Sequence, residues 1–211
     1  HIMGPGARGY LPVLRGRDVT NDDGRPTGLY IARFRNINDK DSRFVRGFGS
    51  QGGSGCSPFP SYAASVPGFG ALLKSRVREL YPTPINIGAF GEVLARYENQ
   101  VDLDPTVKDA WGIPALRFNY RFGENELAMA KDMSQTAEEM LKAAGCEDIT
   151  VTTNYLPEGW SIHELGTARM GNDPKTSATN SFGQSHDVKN LFVVHGSSFV
   201  SAGCQNPTWK I

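Results

Sequence analysis

The sequence has no surplus of charge of either sign. Over 211 residues, 22 Lys and Arg residues balance 22 Asp and Glu residues. A basic surplus would favour binding to nucleic acid or to an anionic membrane, and a run of acidic residues would favour a solvating tail. Because neither is found, we expect the partner of this protein to be a small molecule.

Long apolar runs and paired cysteines are also lacking. No apolar run approaches the roughly 20 residues that a membrane-spanning helix needs. The three cysteines lie far apart, with no C-x-x-C pair: Cys56, Cys146 and Cys204. We therefore expect free thiols, and neither a zinc site nor a disulfide framework. The four histidines show no metal-ligand spacing, so the sequence predicts no metal site.

Turn-forming residues are what the chain has in excess, with 24 glycines and 13 prolines, and this indicates many turns rather than long helices. Two segments nevertheless have helical periodicity. The first is 68–80, where apolar residues recur on one face and Pro82 follows. The second is 125–144, with Asn125 suited to the N-cap and Gly145 to the position after the C-cap.

Five segments have the composition or alternation of β-strands: 28–35, 43–48, 85–96, 99–105 and 115–120. The last three follow one another closely and predict an antiparallel meander. Because strands and helices do not alternate regularly along the chain, the sequence predicts an α+β fold with an antiparallel sheet flanked by helices.

Two glycine-rich stretches resemble ligand-binding loops. Residues 4–9 match the G-x-G-x-x-G pattern, but only three residues precede the match, Pro5 removes an amide donor, and no helix follows. We predict a plain loop there, and a break in regular structure at 49–55. Ser54 is not in a nucleophile elbow, because G-x-S-x-G would require glycine where Cys56 stands, and a hydrolase using Ser54 is a distant alternative.

The most informative motifs lie in the last fifth of the chain. His163 opens the sequence His-Glu-Leu-Gly-Thr-Ala-Arg-Met-Gly. A short apolar run, predicted to be a strand at 191–194, then leads into His195, Gly196 and Ser197. An Asn-Pro-Thr sequence follows at 206–208. On spacing alone, a single histidine such as His163 would be read as an ordinary core or turn residue.

In this order, the motifs resemble the C-terminal signature of the glucose-methanol-choline (GMC) oxidoreductases, flavoenzymes that oxidise alcohols and sugars. Within the family, the chain is most similar to the bacterial sugar and glycoside branch, which includes glucoside 3-dehydrogenases and relatives of pyranose oxidase. The upstream sequences at 51–53 and 109–114 add to this resemblance. The resemblance implies FAD as cofactor and a sugar or glycoside as substrate, and it leaves the electron acceptor and the compartment, bacterial cytoplasm or periplasm, open.

The resemblance also implies roles for particular residues. His163 corresponds to the base beside the flavin ring, since imidazole titrates near neutral pH and can take the hydroxyl proton. Asn206 corresponds to the hydrogen-bonding partner of the reacting hydroxyl. The residues expected near the cofactor are His195, Gly196, Ser197, Pro207 and Thr208.

The domain division expected from the resemblance has three parts. Residues 1–9 would be a linker from an FAD-binding domain, 10–155 the substrate-binding domain, and 156–211 the incomplete C-terminal piece of the FAD-binding domain. Most of that domain precedes this segment in the family, so we expect the chain alone to be inactive. The alternative is a noncatalytic carbohydrate-binding or structural domain that has lost its flavin half.

Overall fold

The structure is a computed structural model and describes residues 1–16, 28–33, 36–37, 43–54, 59–160 and 162–206. The strands are β1 (Ile2–Tyr10), β2 (Leu29–Arg33), β3 (Phe48–Ser54), β4 (Pro84–Gly91), β5 (Gln100–Lys108), β6 (Pro114–Asn119) and β7 (Glu147–Thr152). The helices are α1 (Phe59–Ser65), α2 (Gly70–Leu80) and α3 (Glu124–Ala143), with short 3₁₀ turns at Pro12–Leu14 and Gly196–Ser198.

The core lies between a five-stranded sheet and α3. The strand order is β2-β3-β4-β1-β7, and all neighbours are antiparallel. One cluster joins the sheet residues Ile2 and Phe48 to Met129 and Met133 of α3. A second cluster packs Ala7, Ile87, Ala137 and Leu141 together. The fold is thus a mixed α+β fold, as the sequence predicts.

Glycine-rich strand β1 lies inside this sheet, between β4 and β7. The loop predicted at 4–9 is therefore wrong, and the expected linker at 1–9 supplies most of a strand. Local propensity disfavours a strand here, but pairing on both edges overrides it. Pro5 sits where the β1–β4 register shifts, between Met3 and Gly6, so its missing amide interrupts the ladder at a bulge.

Strand β3 corrects a second prediction. The break expected at 49–55 is a strand as far as Ser54, while 43–47 is not a strand. An ideal Cβ at Gly52 would lie 2.2 Å from the backbone oxygen of Asn86, so this close approach of β3 to β4 requires glycine. The meander is also only partly right, because β4 belongs to the main sheet whereas β5 and β6 form a separate pair.

Helix α3 confirms the helix predicted at 125–144, and Gly145 follows it with φ +80°. The N-cap is Gly123 rather than Asn125, whose side chain instead accepts a hydrogen bond from the amide of Val45. Glu126 closes a capping box, accepting from the Gly123 amide at 2.8 Å, from the Leu94 amide at 3.1 Å and from the guanidinium of Arg96. The Glu126 side chain is fully buried.

We expect Glu126→Gln to lower the free energy of unfolding by about 3 kcal/mol, because it leaves the Arg96 guanidinium without its buried carboxylate partner. The measurement is urea unfolding followed by circular dichroism. Glu138→Gln on the same helix removes only the exposed pair with Lys142, so its effect should stay below about 0.5 kcal/mol. Equal effects of the two variants would contradict a central role for Glu126.

The pH dependence of stability follows from the same contacts. Burial of Glu126 raises its pKa, but the hydrogen bonds from Leu94, Gly123 and Arg96 outweigh this, and the pKa lies below the ordinary value of 4.5. A lowered folded-state pKa stabilises the protein above pH 4.5, and this contribution is lost as the pH falls below that value. Glu126→Gln should therefore flatten the acid limb of the stability profile.

The pair β5–β6 is a hairpin with two unlike faces. Cross-strand partners Val101 and Phe118 are apolar, as are Leu103 and Leu116, whereas Asp102 lies opposite Arg117. The four apolar side chains are between 38% and 67% exposed in the described part of the chain. At the tip, both the Trp111 and Ile113 amides donate to the Asp109 carboxylate at 2.9 Å.

The C-terminal segment from 153 to 206 has little regular structure. In its described residues, pairing is limited to isolated bridges, such as Gln184 with Phe192, so the strand predicted at 191–194 is not formed. Its exposed apolar side chains include Trp160, Ile162, Phe182, Leu191, Phe192, Val194 and Val200. None of the described helices is both long and apolar enough to cross a bilayer.

Candidate active site

His163 lies beside the start of β1. Its Nδ1 is 2.8 Å from Nδ1 of His1, and the two rings meet edge to face with centroids 4.8 Å apart. The chain reaches this position because β7 pairs with β1 and the Leu156 amide then donates to the Met3 carbonyl at 2.8 Å. Sheet pairing thus brings together two imidazoles that are 162 positions apart.

A third segment, the one that leads to Asn206, also lies beside His1. The Nε2 atom of His1 lies 2.8 Å from the carbonyl oxygen of Gly203, three residues before Asn206. Asn206 itself is exposed. His1 therefore links the predicted base to the segment that carries the predicted carboxamide, while Pro207 and Thr208 lie outside the described residues.

Tyr30 of β2 contacts the same C-terminal segment. The Tyr30 hydroxyl is 3.5 Å from Sγ of Cys204 and hydrogen-bonds the Gln205 side chain. A Cβ at Gly49 would lie 2.2 Å from that hydroxyl, so glycine makes room for it. Burial and the contact with Cys204 raise the pKa of Tyr30 to about 12, which keeps the hydroxyl protonated as a hydrogen-bond donor at neutral pH.

The electrostatic surroundings of His163 favour the neutral ring. Burial lowers the pKa of His163 below its ordinary value of 6.5, and the carboxylate of Glu164 opposes this effect. A neutral imidazole has one nitrogen lone pair and can take up a proton. His163 thus has the protonation state that a general base needs at neutral pH.

The residues expected near a cofactor form a compact turn. His195 caps the 3₁₀ turn Gly196–Ser198, and its Nδ1 accepts from the Ser197 amide at 3.1 Å. The Ser197 and Ser198 carbonyls accept from the Ala168 and Met170 amides. Gly196 and Ser198 are buried, whereas His195 is exposed. The structure thus joins the loop after His163 to the His195 turn.

His163 and Asn206 suit the alcohol that would react beside the flavin ring, but the described residues include no site of the usual kind for the pyrophosphate of FAD. An imidazole acceptor and a carboxamide, which both donates and accepts, suit an alcohol that loses a proton and a hydride. The pyrophosphate of FAD is normally held at a helix N-terminus after a strand and a glycine-rich turn. The G-x-G-x-x-G match at 4–9 lies within β1 and does not provide such a turn.

The face of the main sheet opposite α3 presents polar groups. Alternation along β1, β3 and β4 turns Arg8, Gln51 and Asn86 away from the helix, and Arg8 pairs with Asn86 in register. Arg8 and Asn86 are exposed. A Cβ at Gly88 would meet nothing within 4 Å. This face therefore carries amide and guanidinium groups.

Two residues of this site were missed in the sequence. Tyr30 lies in a predicted strand, but no local pattern points to its contact with Cys204. His1 was predicted only as part of the linker at 1–9, with no role at the site. Cys146 and Cys204 are free thiols as expected, Cys56 lies outside the described residues, and the described chain contains no cluster of three metal-ligating side chains.

Comparisons with known proteins agree on one family. The family model described as GMC oxidoreductase matches residues 95–211. A 2-methyl-1,2-propanediol dehydrogenase from Mycolicibacterium austroafricanum is 38% identical over 87% of this chain and 34% of its own length. A gluconate 2-dehydrogenase flavoprotein from Pantoea cypripedii is 34% identical over 69% of this chain and 25% of its own.

A more distant relative extends the match along the chain. The C-glycoside 3-oxidase of Arthrobacter globiformis is 27% identical over 96% of this chain and 40% of its own length. The chain therefore spans between 25% and 40% of the length of these three curated relatives. All three have the names of oxidoreductases.

Proposed function

Because the chain belongs to the GMC oxidoreductase family, we propose that it is the C-terminal part of an enzyme that oxidises a hydroxyl group of a sugar or glycoside with FAD. The observation that carries the proposal is the contact of His163 with His1, which in turn binds the carbonyl of Gly203 near Asn206. The predicted base and the segment that bears the predicted carboxamide thus meet at one imidazole.

The chemistry divides between two side chains. His163 takes the proton of the substrate hydroxyl, since its lowered pKa keeps it neutral and able to accept. The carboxamide of Asn206 donates a hydrogen bond to the same oxygen and fixes the direction in which its carbon points. FAD, when bound, accepts the hydride from that carbon. Protein groups supply position and proton transfer.

Residues around the His195 turn would hold the cofactor. Gly196 and Ser197 lie in a turn that is tied to the loop after His163, so their positions relative to the base are fixed by the Ala168 and Met170 hydrogen bonds. Pro207 and Thr208 follow Asn206 directly and complete the proposed set. We propose that these residues bind only the part of FAD that carries the isoalloxazine ring.

The polar sheet face supports a substrate with several hydroxyl groups. Arg8, Gln51 and Asn86 lie on this face, and a Cβ at Gly88 would meet nothing within 4 Å. Relatives named for a diol, for gluconate, for fructose and for a glycoside are consistent with this class. We propose a sugar or glycoside as the substrate, with one hydroxyl directed at His163.

The exposed apolar surface of the C-terminal segment supports the proposal that further polypeptide covers it in the complete protein. Val194 is 84% exposed and Ile162 is 72% exposed, at the ends of the two motifs nearest the proposed cofactor. The predicted strand at 191–194 lacks a sheet to join among the described residues. In the complete protein, we propose, the rest of an FAD-binding domain covers these side chains and binds the pyrophosphate.

The test compares the chain alone with the complete protein that contains it. We expect the complete protein to purify with the near-ultraviolet and blue absorbance bands of bound flavin, and to bleach a dye acceptor when a sugar or glycoside is added. The chain alone should show neither, even with added FAD. A complete protein that binds a sugar but carries no flavin would instead support a noncatalytic carbohydrate-binding domain.

A further inference from the structure

The contact between His1 and His163 also determines which nitrogen of His163 carries the hydrogen and which carries the lone pair. His1 makes two hydrogen bonds through its two ring nitrogens, one to a backbone carbonyl and one to another imidazole. A carbonyl oxygen accepts hydrogen bonds and cannot donate them. The hydrogen of the bond between His1 and Gly203 must therefore sit on Nε2 of His1.

The position of the hydrogen on His1 determines its position on His163. A neutral imidazole carries its hydrogen on one nitrogen and a lone pair on the other, so neutral His1 with hydrogen on Nε2 has its lone pair on Nδ1. Its partner at 2.8 Å, Nδ1 of His163, must then donate. Neutral His163 with hydrogen on Nδ1 has its lone pair on Nε2.

We propose that His1 is a positioning residue that holds His163 in the Nδ1–H tautomer, so that Nε2 of His163 is the atom that receives the substrate proton. This inference rests on the proposed function. In the proton transfer, the hydroxyl O–H bond breaks and an N–H bond forms at Nε2, while the electron pair of the hydroxyl bond stays on oxygen. The bond between the two Nδ1 atoms is kept throughout, with His163 as donor before and after.

An imidazole orienter differs from a carboxylate in its charge. A carboxylate beside the base would stabilise the protonated ring and raise its pKa, whereas neutral His1 fixes the tautomer without adding negative charge. The lowered pKa of His163 agrees with such surroundings, in which Glu164 is the carboxylate that opposes the shift. His163 is thus oriented and yet remains neutral at lower pH.

The direct test is the tautomer itself, read by long-range ¹H–¹⁵N correlation spectra of the protein with ¹⁵N-labelled histidine, at a pH where the rings are neutral. The spectra are recorded on the complete flavoprotein and on the 211-residue chain, and His163→Gln and His1→Gln assign the signals. We expect His163 to carry hydrogen on Nδ1 and His1 to carry it on Nε2. Hydrogen on Nε2 of His163, or a rapid mixture of both tautomers, would overturn the inference.

A kinetic test uses His1→Ala and His1→Asn in the complete flavoprotein. The Asn oxygen occupies a position close to that of Nδ1 and can still accept from Nδ1 of His163, whereas Ala cannot. We expect His1→Ala to lower kcat on the order of tenfold or more with an unchanged flavin spectrum and KM, and His1→Asn to restore most of the rate. Equal losses in the two variants would contradict the inference.

The two tests separate this inference from the proposed function. If the wild-type protein oxidises sugars but His163 carries hydrogen on Nε2, only the inference fails. If the protein shows the expected tautomers but neither binds flavin nor oxidises a hydroxyl, the proposed function fails while the pairing of the rings stands.

Discussion

Replacing His163 by asparagine in the complete flavoprotein is expected to lower kcat by roughly a hundredfold to ten thousandfold, because the site then lacks the imidazole that takes the hydroxyl proton. Asparagine keeps a polar group near the Nδ1 position, so the contact with His1 is largely retained. The flavin spectrum and the substrate dissociation constant should change little. Steady-state kinetics and rapid-reaction flavin reduction measure the effect.

The role of His163 as base also predicts the direction in which activity changes with pH. His163 must be neutral to act, and burial holds its pKa below 6.5. The value of kcat/KM should therefore be constant above that pH and fall as the pH decreases through the lowered pKa. His163→Asn should lose this acid limb together with the rate.

His186→Asn is the matched control, since His186 contacts Ser177 and the Gly171 carbonyl rather than His1. This variant should retain both the rate and the pH profile of the wild-type protein. A His163→Asn variant that keeps its rate would refute the role of the imidazole as base.

Gly6→Ala is expected to have a large effect on folding, with a loss of about 3 kcal/mol in the free energy of unfolding. An ideal Cβ at Gly6 would lie 2.2 Å from the backbone oxygen of Ile87 and 3.0 Å from the Cα of Gly88. Backbone atoms of a central strand cannot move aside without disturbing the pairing of β1 with β4 and β7. Urea unfolding of the 211-residue chain measures the loss.

Gly88→Ala tests the same pair of residues, Gly6 and Gly88, from strand β4. Gly88 is the register partner of Gly6, but a Cβ there would meet nothing within 4 Å. We expect a change of less than about 1 kcal/mol, of either sign, because alanine also loses less backbone entropy on folding. Similar losses for both variants would show that close strand approach is not what requires Gly6.

The elements that follow from sequence are those fixed by local periodicity. Helix α3 is predicted almost to the residue because its apolar stripe faces the sheet at Met129, Met133 and Ala137, and Gly145 ends it in a left-handed conformation. Strand β6 and most of β4 are likewise predicted from alternation. Strand β7 was not predicted, although Ile149 and Val151 alternate, because the segment is short and begins with two acidic residues.

Strands β1 and β3 could not be found locally, since glycine has low strand propensity and the reason for it lies in another strand. The need for glycine at Gly52 comes from the backbone of Asn86, 34 positions away in the sequence. The site divides in the same manner. His163 and Asn206 were predicted from family motifs, but the position of His1 between His163 and the Gly203 carbonyl depends on sheet pairing and cannot be deduced from spacing.

In the hairpin of β5 and β6, the carboxylate of Asp109 affects how the two strands are aligned. Slipping the two strands by a single residue would exchange the sides on which Val101 and Asp102 point, because side chains alternate with a period of two. The turn, which Asp109 closes by accepting from two amides, and the register shift between Leu103 and Lys108 together set that alignment. By closing the turn, Asp109 therefore helps to fix which face of the hairpin carries the apolar side chains and which carries the charged ones.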